Sequence, residues 1–478
     1  MVIQTIIILI YFGLTVAIGV HSMRSTKSSN AFMGAKLGTI AVVCASTGEW
    51  LGGTATTGVS EYGFDFGISG AWYTIANGIG VIFLALLFAK MYRSLDTVTV
   101  PGIIGKFLGL RARTVSSVFL VFVMLTVGIS QMIAAGNLGV SLLGLDFTVS
   151  VIIFAAIFIV YTLAGGMQAV ARTNVMHLIC MYGGVILAIV LSLRKIGGFS
   201  SVTAVVPESY FRMTTIGFPK ISSWVIASLL GACTAQAGVQ PILAAKDVHV
   251  AKKGAIITAF VAAPFGLFTA LLGTIAKAMS LNGQLLDTAG QNVTNGKLAL
   301  VTLMMNLSPV AGGIILAAIL AAILSTVSPI ILAAGTMLTR DLYQTGRHKD
   351  SDEQKLMRVS RVTTAISGFI CCGAAIFFNS TGIRVLDLVY FAYSMRGSLF
   401  VIILLGIYWK KTSEKGAVYG MICTAIVGLG WVVFNGITGH YPIPGVSETY
   451  ISIITALFTT VAFSKIFGKD NQSQLPIR

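Results

Sequence analysis

Ser325 and Thr326 stand side by side in the run Ala321-Ala322-Ile323-Leu324-Ser325-Thr326-Val327-Ser328, deep inside an apolar stretch. A bilayer core offers no water, so hydroxyl oxygens at mid-depth need partners. They either bond back to the carbonyl one turn earlier, as packing hydroxyls in spans do, or coordinate a bound ion. Two charged residues could also do chemistry at that depth: Glu49, within Cys44-Ala45-Ser46-Thr47-Gly48-Glu49-Trp50-Leu51-Gly52-Gly53-Thr54, and Arg396, within a later apolar stretch. Charge inside a span is costly and functional by default. An arginine clamps a carboxylate with both arms of its guanidinium, and a glutamate suits an amine. Facing one cavity, the two would take an amino acid or related zwitterion. Facing each other, they would be a structural pair, with Asp387 as another partner for Arg396 or for Arg384.

The elements that hold these residues are membrane helices. Of 478 residues, 56% are hydrophobic and 10% charged, and the mean hydropathy is +0.89, outside the range of soluble globular domains. A span needs ~20 apolar residues. About 13 such stretches occur, near 2–21, 39–60, 68–92, 115–143, 147–165, 174–193, 221–244, 254–280, 308–337, 360–379, 383–408, 416–436 and 449–467. No loop between them is long enough for a soluble domain, so residues 1–478 are expected to form a single membrane domain. The first stretch is expected to remain as a span, because no basic residue precedes it while Arg24 and Lys27 follow it.

The net charge of +16 does not point to nucleic acid, because its placement alternates with the loops. Most of the 32 Lys and Arg, among them Arg93, Lys106, Arg111, Arg113, Lys252, Lys253, Arg340, Arg347, Lys349, Lys410 and Lys411, fall on one side. The other side holds Arg194, Lys195, Arg212, Lys220, Lys277, Lys297 and Arg384. This is the positive-inside pattern, with the amino end outside, the carboxyl end cytoplasmic, and the basic excess facing anionic lipid. The six cysteines (Cys44, Cys180, Cys233, Cys371, Cys372, Cys423) all fall in spans without metal-ligand spacing. No Walker loop, dinucleotide fingerprint, zinc helix or nucleophile elbow occurs, so no enzyme is expected.

Two spans read as irregular. The stretch 44–58 crowds glycines and hydroxyls into the middle of a span, which lowers helix propensity. Five spans later, Ser228-Leu229-Leu230-Gly231-Ala232-Cys233-Thr234-Ala235-Gln236-Ala237-Gly238 does the same. Paired broken segments at matching places in two halves point to a secondary-transporter site, against the alternative of ordinary small-residue packing.

Four further stretches then resemble the sodium/solute symporter family. Gly165-Gly166-Met167-Gln168-Ala169-Val170-Ala171-Arg172-Thr173-Asn174 is similar to its Gly-Gly-x-x-Ala-Val-x-x-Thr-Asp signature, and Gln240 through Ala244-Ala245-Lys246-Asp247 and Ala251-Lys252-Lys253-Gly254 to its basic inner loop. The Ser325–Thr326 run ending in Arg340-Asp341-Leu342-Tyr343 resembles its ninth span. Gly406-Ile407-Tyr408-Trp409-Lys410-Lys411 with Gly416-Ala417 and Gly420 resembles its eleventh-to-twelfth connection. The resemblance implies an all-α polytopic fold with a LeuT-like 5+5 inverted repeat: spans 2–6 (residues 39–193) and spans 7–11 (residues 221–408), with flanking helices.

It also implies a sodium ion between the second and ninth spans, held by the carbonyls of Val43, Ser46 and Ala322 and the hydroxyls of Ser325 and Thr326. Neutral oxygens of unwound helix ends suit that cation. The Asp that helps some members bind a second sodium is Asn174 here, and Pro329 follows Ser328, so one sodium is expected. His177, where the family often has Gln, either titrates or packs neutral. The family's midplane pocket maps to Glu49, Trp50, Thr54, Trp72, Tyr73, Asn77, Gln236, Tyr390, Tyr393 and Arg396, whose aromatic members could equally be packing and interface residues. The function implied is sodium-coupled import of a small organic solute (amino acid, carboxylate or similar) across the cell (plasma) membrane by alternating access. Na+ is the co-transported ion, the partners are the solute and the bilayer, and neither nucleic acid nor an obligatory protein partner is expected. The alternatives are a proton-coupled transporter or channel of the same fold, with Glu49 carrying protons, and a sensor on the transporter fold, which the expected lack of a signalling domain disfavours.

Overall fold

The apolar stretches form helices, and among the described residues the only extended pairings are the isolated bridges Leu37–Ala245 and Leu286–Asn292. This computed structural model describes residues 2–23, 36–287, 289–345, 352–379 and 385–468. Arg24, Lys27, Arg347, Lys349 and Arg384 lie outside them. The principal helices are α1 (Val2–Met23), α2 (Thr39–Trp50), α3 (Val59–Phe66), α4 (Trp72–Phe83), α5 (Val100–Leu108), α6 (Leu110–Leu143), α7 (Phe147–Ile196), α8 (Phe218–Gly231), α9 (Gln236–Leu243), α10 (Val248–Ala262), α11 (Phe265–Leu281), α12 (Gly296–Met305), α13 (Pro309–Met337), α14 (Glu353–Asn379), α15 (Val385–Tyr408), α16 (Glu414–Thr438) and α17 (Glu448–Phe467).

Among the described residues, nine helices are long and apolar enough to cross a membrane, or ten if the bent pair Phe218–Thr234 and Gln236–Leu243 is one span. The first expected stretch is the helix Val2–Met23, the second ends early at Trp50, and the fifth is the opening part of the long helix that starts at Phe147. The fifth runs into the sixth through Gly166, whose backbone (φ 55, ψ −148) bends the long α7. That positive φ is open to glycine and strained for other residues.

α13 is the central post. It is buried almost throughout, from Ile315 to Met337, as expected of a helix apolar on every side. α1, α2, α6, α7 and α14 surround it. Pro309 occupies its first turn and the Ser308 hydroxyl caps the Ala311 N–H. Pro329 lies inside it. A proline has no N–H, so the carbonyl four residues earlier, that of Ser325, loses its helical donor.

Both irregular stretches are broken. α2 ends at Trp50, and a wide π-helical turn over Thr54–Gly58 leads into α3. Such turns concentrate at functional sites. α8 ends at Gly231, passes through a tight turn over Ala232–Thr234, and leaves the helical region at Ala235 (φ −69, ψ 87) before α9. The axis bends there by 44°.

Candidate sodium and solute site

The first break meets α13 at Ser325 and Thr326. The Ser325 hydroxyl donates back to the Ala322 carbonyl at 2.8 Å. The Thr326 hydroxyl reaches across to the Gly48 carbonyl on α2, with a weaker contact of 3.3 Å to Ala322 O. Contact this close needs glycine. A Cβ at Gly48 would lie 2.4 Å from Ser325 O, and one at Gly52 2.3 Å from Thr326 Oγ1. Asn174, on α7, closes the crevice from the third side. Its Nδ2 donates to Cys44 O at 3.2 Å and to Ser325 O at 3.5 Å, the carbonyl that Pro329 releases. The α2 carbonyls facing α7 and α13 in these contacts are therefore Cys44 and Gly48, one turn apart. Val43 is buried on the same helix, and Ser46 faces α9, its hydroxyl donating to Gly238 O at 2.9 Å. The crevice gathers uncharged hydroxyl and carbonyl oxygens, the donor chemistry of a hard monovalent cation rather than of a transition metal. Among the described residues no group of His, Cys, Asp and Glu could hold a metal.

Glu49 and Arg396 lie one layer away and face each other. Arg396 Nη1 is 2.7 Å from Glu49 Oε1, and both side chains are fully buried. Asp387, Tyr390, Tyr393 and Arg396 recur at three-residue steps along α15, so each lies beside the next while the line winds round the helix towards the ion pair. The guanidinium lies 4.9 Å from the Tyr393 ring centre, a cation–π contact. The Tyr73 and Tyr393 hydroxyls are 3.2 Å apart. Tyr390 stacks on Trp224 at 4.4 Å and 5°, and Trp50 meets Tyr393 edge-on. Asn77 Oδ1 accepts from the Ser228 hydroxyl at 3.0 Å. Within this buried cluster, Glu49 Oε2, Arg396 Nε and Trp50 Nε1 have no hydrogen-bond partner among the described residues. An acceptor and two donors thus converge unsatisfied, an arrangement that costs free energy unless a ligand completes it. Beyond the Trp224–Tyr390 stack opens a cavity of about 420 Å³, lined in part by Lys220, Asp387 and Glu448. Lys220 pairs with Asp387 at 3.1 Å, and Tyr62 donates to the same carboxylate.

The sodium:solute symporter family model matches residues 32–424. The chain belongs to the sodium:solute symporter family. It is 26% identical to the osmoregulated proline transporter of Bacillus subtilis, over 96% of this chain and 93% of that one. It is 25% identical to the sodium/glucose cotransporter of Vibrio parahaemolyticus, over 77% and 72%. Its fold is that of a Na+-coupled sialic acid symporter solved in a substrate-bound outward-open state, with TM-score 0.80, 18% identity and 99% of each chain covered. The family is one of membrane transporters coupled to sodium, not of enzymes.

Not every residue predicted for the symporter's pocket joins the cluster. Thr54 is held by Gln131, whose Nε2 donates to its hydroxyl at 2.6 Å. Trp72 is half-buried, and its Nε1 donates to Met213 O at 2.8 Å. Gln236 Oε1 accepts from Val100 N at 2.7 Å and its Nε2 donates to Val98 O at 3.1 Å, so it fastens α9 to the loop before α5. His177 is buried against Tyr11 of α1 through a hydrogen bond at its Nδ1. The sequence reading did not single out Gln131. Its Oε1 accepts from Gly53 N at 2.7 Å, so one amide satisfies the broken backbone and the first hydroxyl beyond it. A glutamine at mid-depth in α6 was the available signal, since such polar residues rarely face lipid.

Proposed function

We propose that the protein is a sodium-coupled secondary active symporter that imports a small zwitterionic solute, an amino acid or a close relative, by alternating access. The observation that carries the coupling is the contact of Thr326 with the Gly48 carbonyl across the break in α2, beside Ser325 and Ala322. In this reading Ala322, Ser325 and Thr326 supply oxygens from α13, and α2 supplies two carbonyls. The resemblance assigns those two to Val43 and Ser46, whereas the contacts to α7 and α13 favour a register one or two residues later. Binding ties α2 to α13, and release frees them, which couples ion occupancy to the position of the broken helix. One sodium per solute is supported by Asn174, whose amide donates into the crevice where an acidic side chain would add charge. Residues 39–193 and 221–408 are the two inverted repeats in this reading, each beginning with one of the broken spans. The chain sits in the cell membrane with its basic face cytoplasmic.

The zwitterion class rests on the Glu49–Arg396 pair, which presents one cation and one anion at 2.7 Å with Oε2 and Nε still unsatisfied. A solute's ammonium and carboxylate would complete those valences, and Trp50, Tyr73, Tyr390 and Tyr393 would wall its apolar part. The test is a thermal-shift panel of amino acids, simple carboxylates and sugars on the purified protein, in sodium and in choline chloride. Uptake of each stabilising solute into proteoliposomes follows. Stabilisation by amino acids only in sodium is expected. Uptake that persists in choline and follows a proton gradient would replace the sodium reading with the proton-coupled one.

A further inference from the structure

We propose that the pocket at the basic face, between the start of α2, the segment before α5, α6 and the end of α13, binds a phosphate-type anion, free or as a lipid headgroup. The cavity is about 510 Å³, and Lys36, Arg93, Arg113 and Arg340 line it from four separate segments, with Asp96 and the Thr97 hydroxyl beside them. Among the described residues the carboxylates number fewer than these cations. Asp341 is committed to Arg113, at 2.7 Å with no exposure of its own, and to the Thr99 hydroxyl at 3.0 Å. Asp96 faces the cavity, and Glu353 acts on Arg340 from α14. With Arg113 paired to Asp341, the cavity still carries more cationic than anionic groups, and a multivalent anion bound among them relieves that excess.

The guanidiniums are also aimed. Arg93 Nε donates to Ala245 O at 2.6 Å, just past α9, and Arg340 Nη1 to Gln344 Oε1 at 2.8 Å. With its Nε so fixed, the Arg93 guanidinium keeps its outer N–H donors in a planar fork, which matches the oxygens of a phosphate and binds them with little further loss of freedom. Basic pockets between helices at the cytoplasmic side are where anionic headgroups bind.

The position gives such binding a consequence. Leu37, next to Lys36, pairs with Ala244 and Lys246 through backbone bonds of 2.8 and 2.9 Å, joining the start of α2 to the end of α9. Gln236 and Ala245 tie α9 and the turn after it to Val98 and Arg93, in the segment before α5. An anion bridging Lys36, Arg93 and Arg340 fastens these pieces to α13, so it favours the arrangement described here over one in which α2 and α9 swing apart.

The test uses the full chain in nanodiscs. In phosphatidylcholine alone, inorganic phosphate is titrated at constant ionic strength against chloride. In a second arm, phosphatidylglycerol replaces part of the lipid with no phosphate present. A saturable rise in melting temperature in the first arm identifies a free anion, and a rise confined to the second identifies a headgroup. Both support the site. Lys36→Gln with Arg340→Gln should weaken either effect by about tenfold or more, as expected for two charge-assisted contacts. The ligand-induced increment is read within each variant, so a lower starting temperature does not blur it. No rise in either arm, or an equal rise in the double variant, overturns the proposal.

Discussion

Arg396→Gln separates the two roles open to the buried pair. The change leaves Glu49 without its partner at a site where both side chains have no exposure. Removing one member of such a pair costs about 3–5 kcal/mol in stability, because the remaining charge is stranded. If Arg396 also clamps a solute carboxylate, each charge-assisted bond lost is worth about 1.5–3 kcal/mol, a fall in affinity of about 10- to 150-fold. Arg396→Lys keeps the charge but loses the fork and the contact over Tyr393 at 4.9 Å. It should therefore recover stability better than affinity. The assay pairs thermal unfolding of the purified variants with solute affinity from proteoliposome uptake, and adds the double variant Glu49→Gln with Arg396→Gln. Stability should return in the double variant while solute affinity stays low. Wild-type transport at unchanged affinity in that double variant would remove both residues from the solute site and leave the pair a structural one.

Ser325→Ala and Thr326→Ala should each raise the sodium concentration for half-maximal uptake by about tenfold, for loss of one of roughly five oxygen ligands worth ~1–1.5 kcal/mol; unchanged sodium dependence in the double variant would refute the assignment. Asn174→Asp places a carboxylate beside Cys44 O and Ser325 O, and sodium binding is expected to tighten, with the Hill coefficient for uptake showing whether a second ion enters. The wild-type coefficient should stay near one, checked by charge-to-flux ratios in proteoliposomes. Gly48→Ala drives a methyl to 2.4 Å from Ser325 O, so transport should be lost even where the purified protein remains folded by thermal unfolding.

The class of this protein was legible in its sequence because membrane insertion is a matter of composition. Backbone in hydrocarbon must satisfy itself, so long apolar runs become helices whatever their neighbours. The two breaks were legible for a related reason. Glycines and hydroxyls at 48–58 and 228–238 cannot sustain a helix on their own bonding, and the chain leaves the helix at Trp50 and again at Ala235. The second apolar stretch is shorter as a helix than its hydropathy suggested, and the fifth bends into the sixth at Gly166, because both features depend on backbone angles that hydropathy does not encode.

Partnerships were decided only by the tertiary structure. Glu49 and Arg396 are far apart in sequence, and only the tertiary arrangement that brings their side chains to 2.7 Å makes them a pair rather than two separate charges. Gln236 had the residue type of a pocket ligand, yet its amide is consumed by Val98 and Val100. Gln131 carried no motif and became the stitch across the first break. Which carbonyls of α2 face α13 also lay beyond the sequence, since each residue along a helix turns the carbonyl by about 100°. Residue types fix what a group can bond to. Only the packed chain fixes which of those bonds are made.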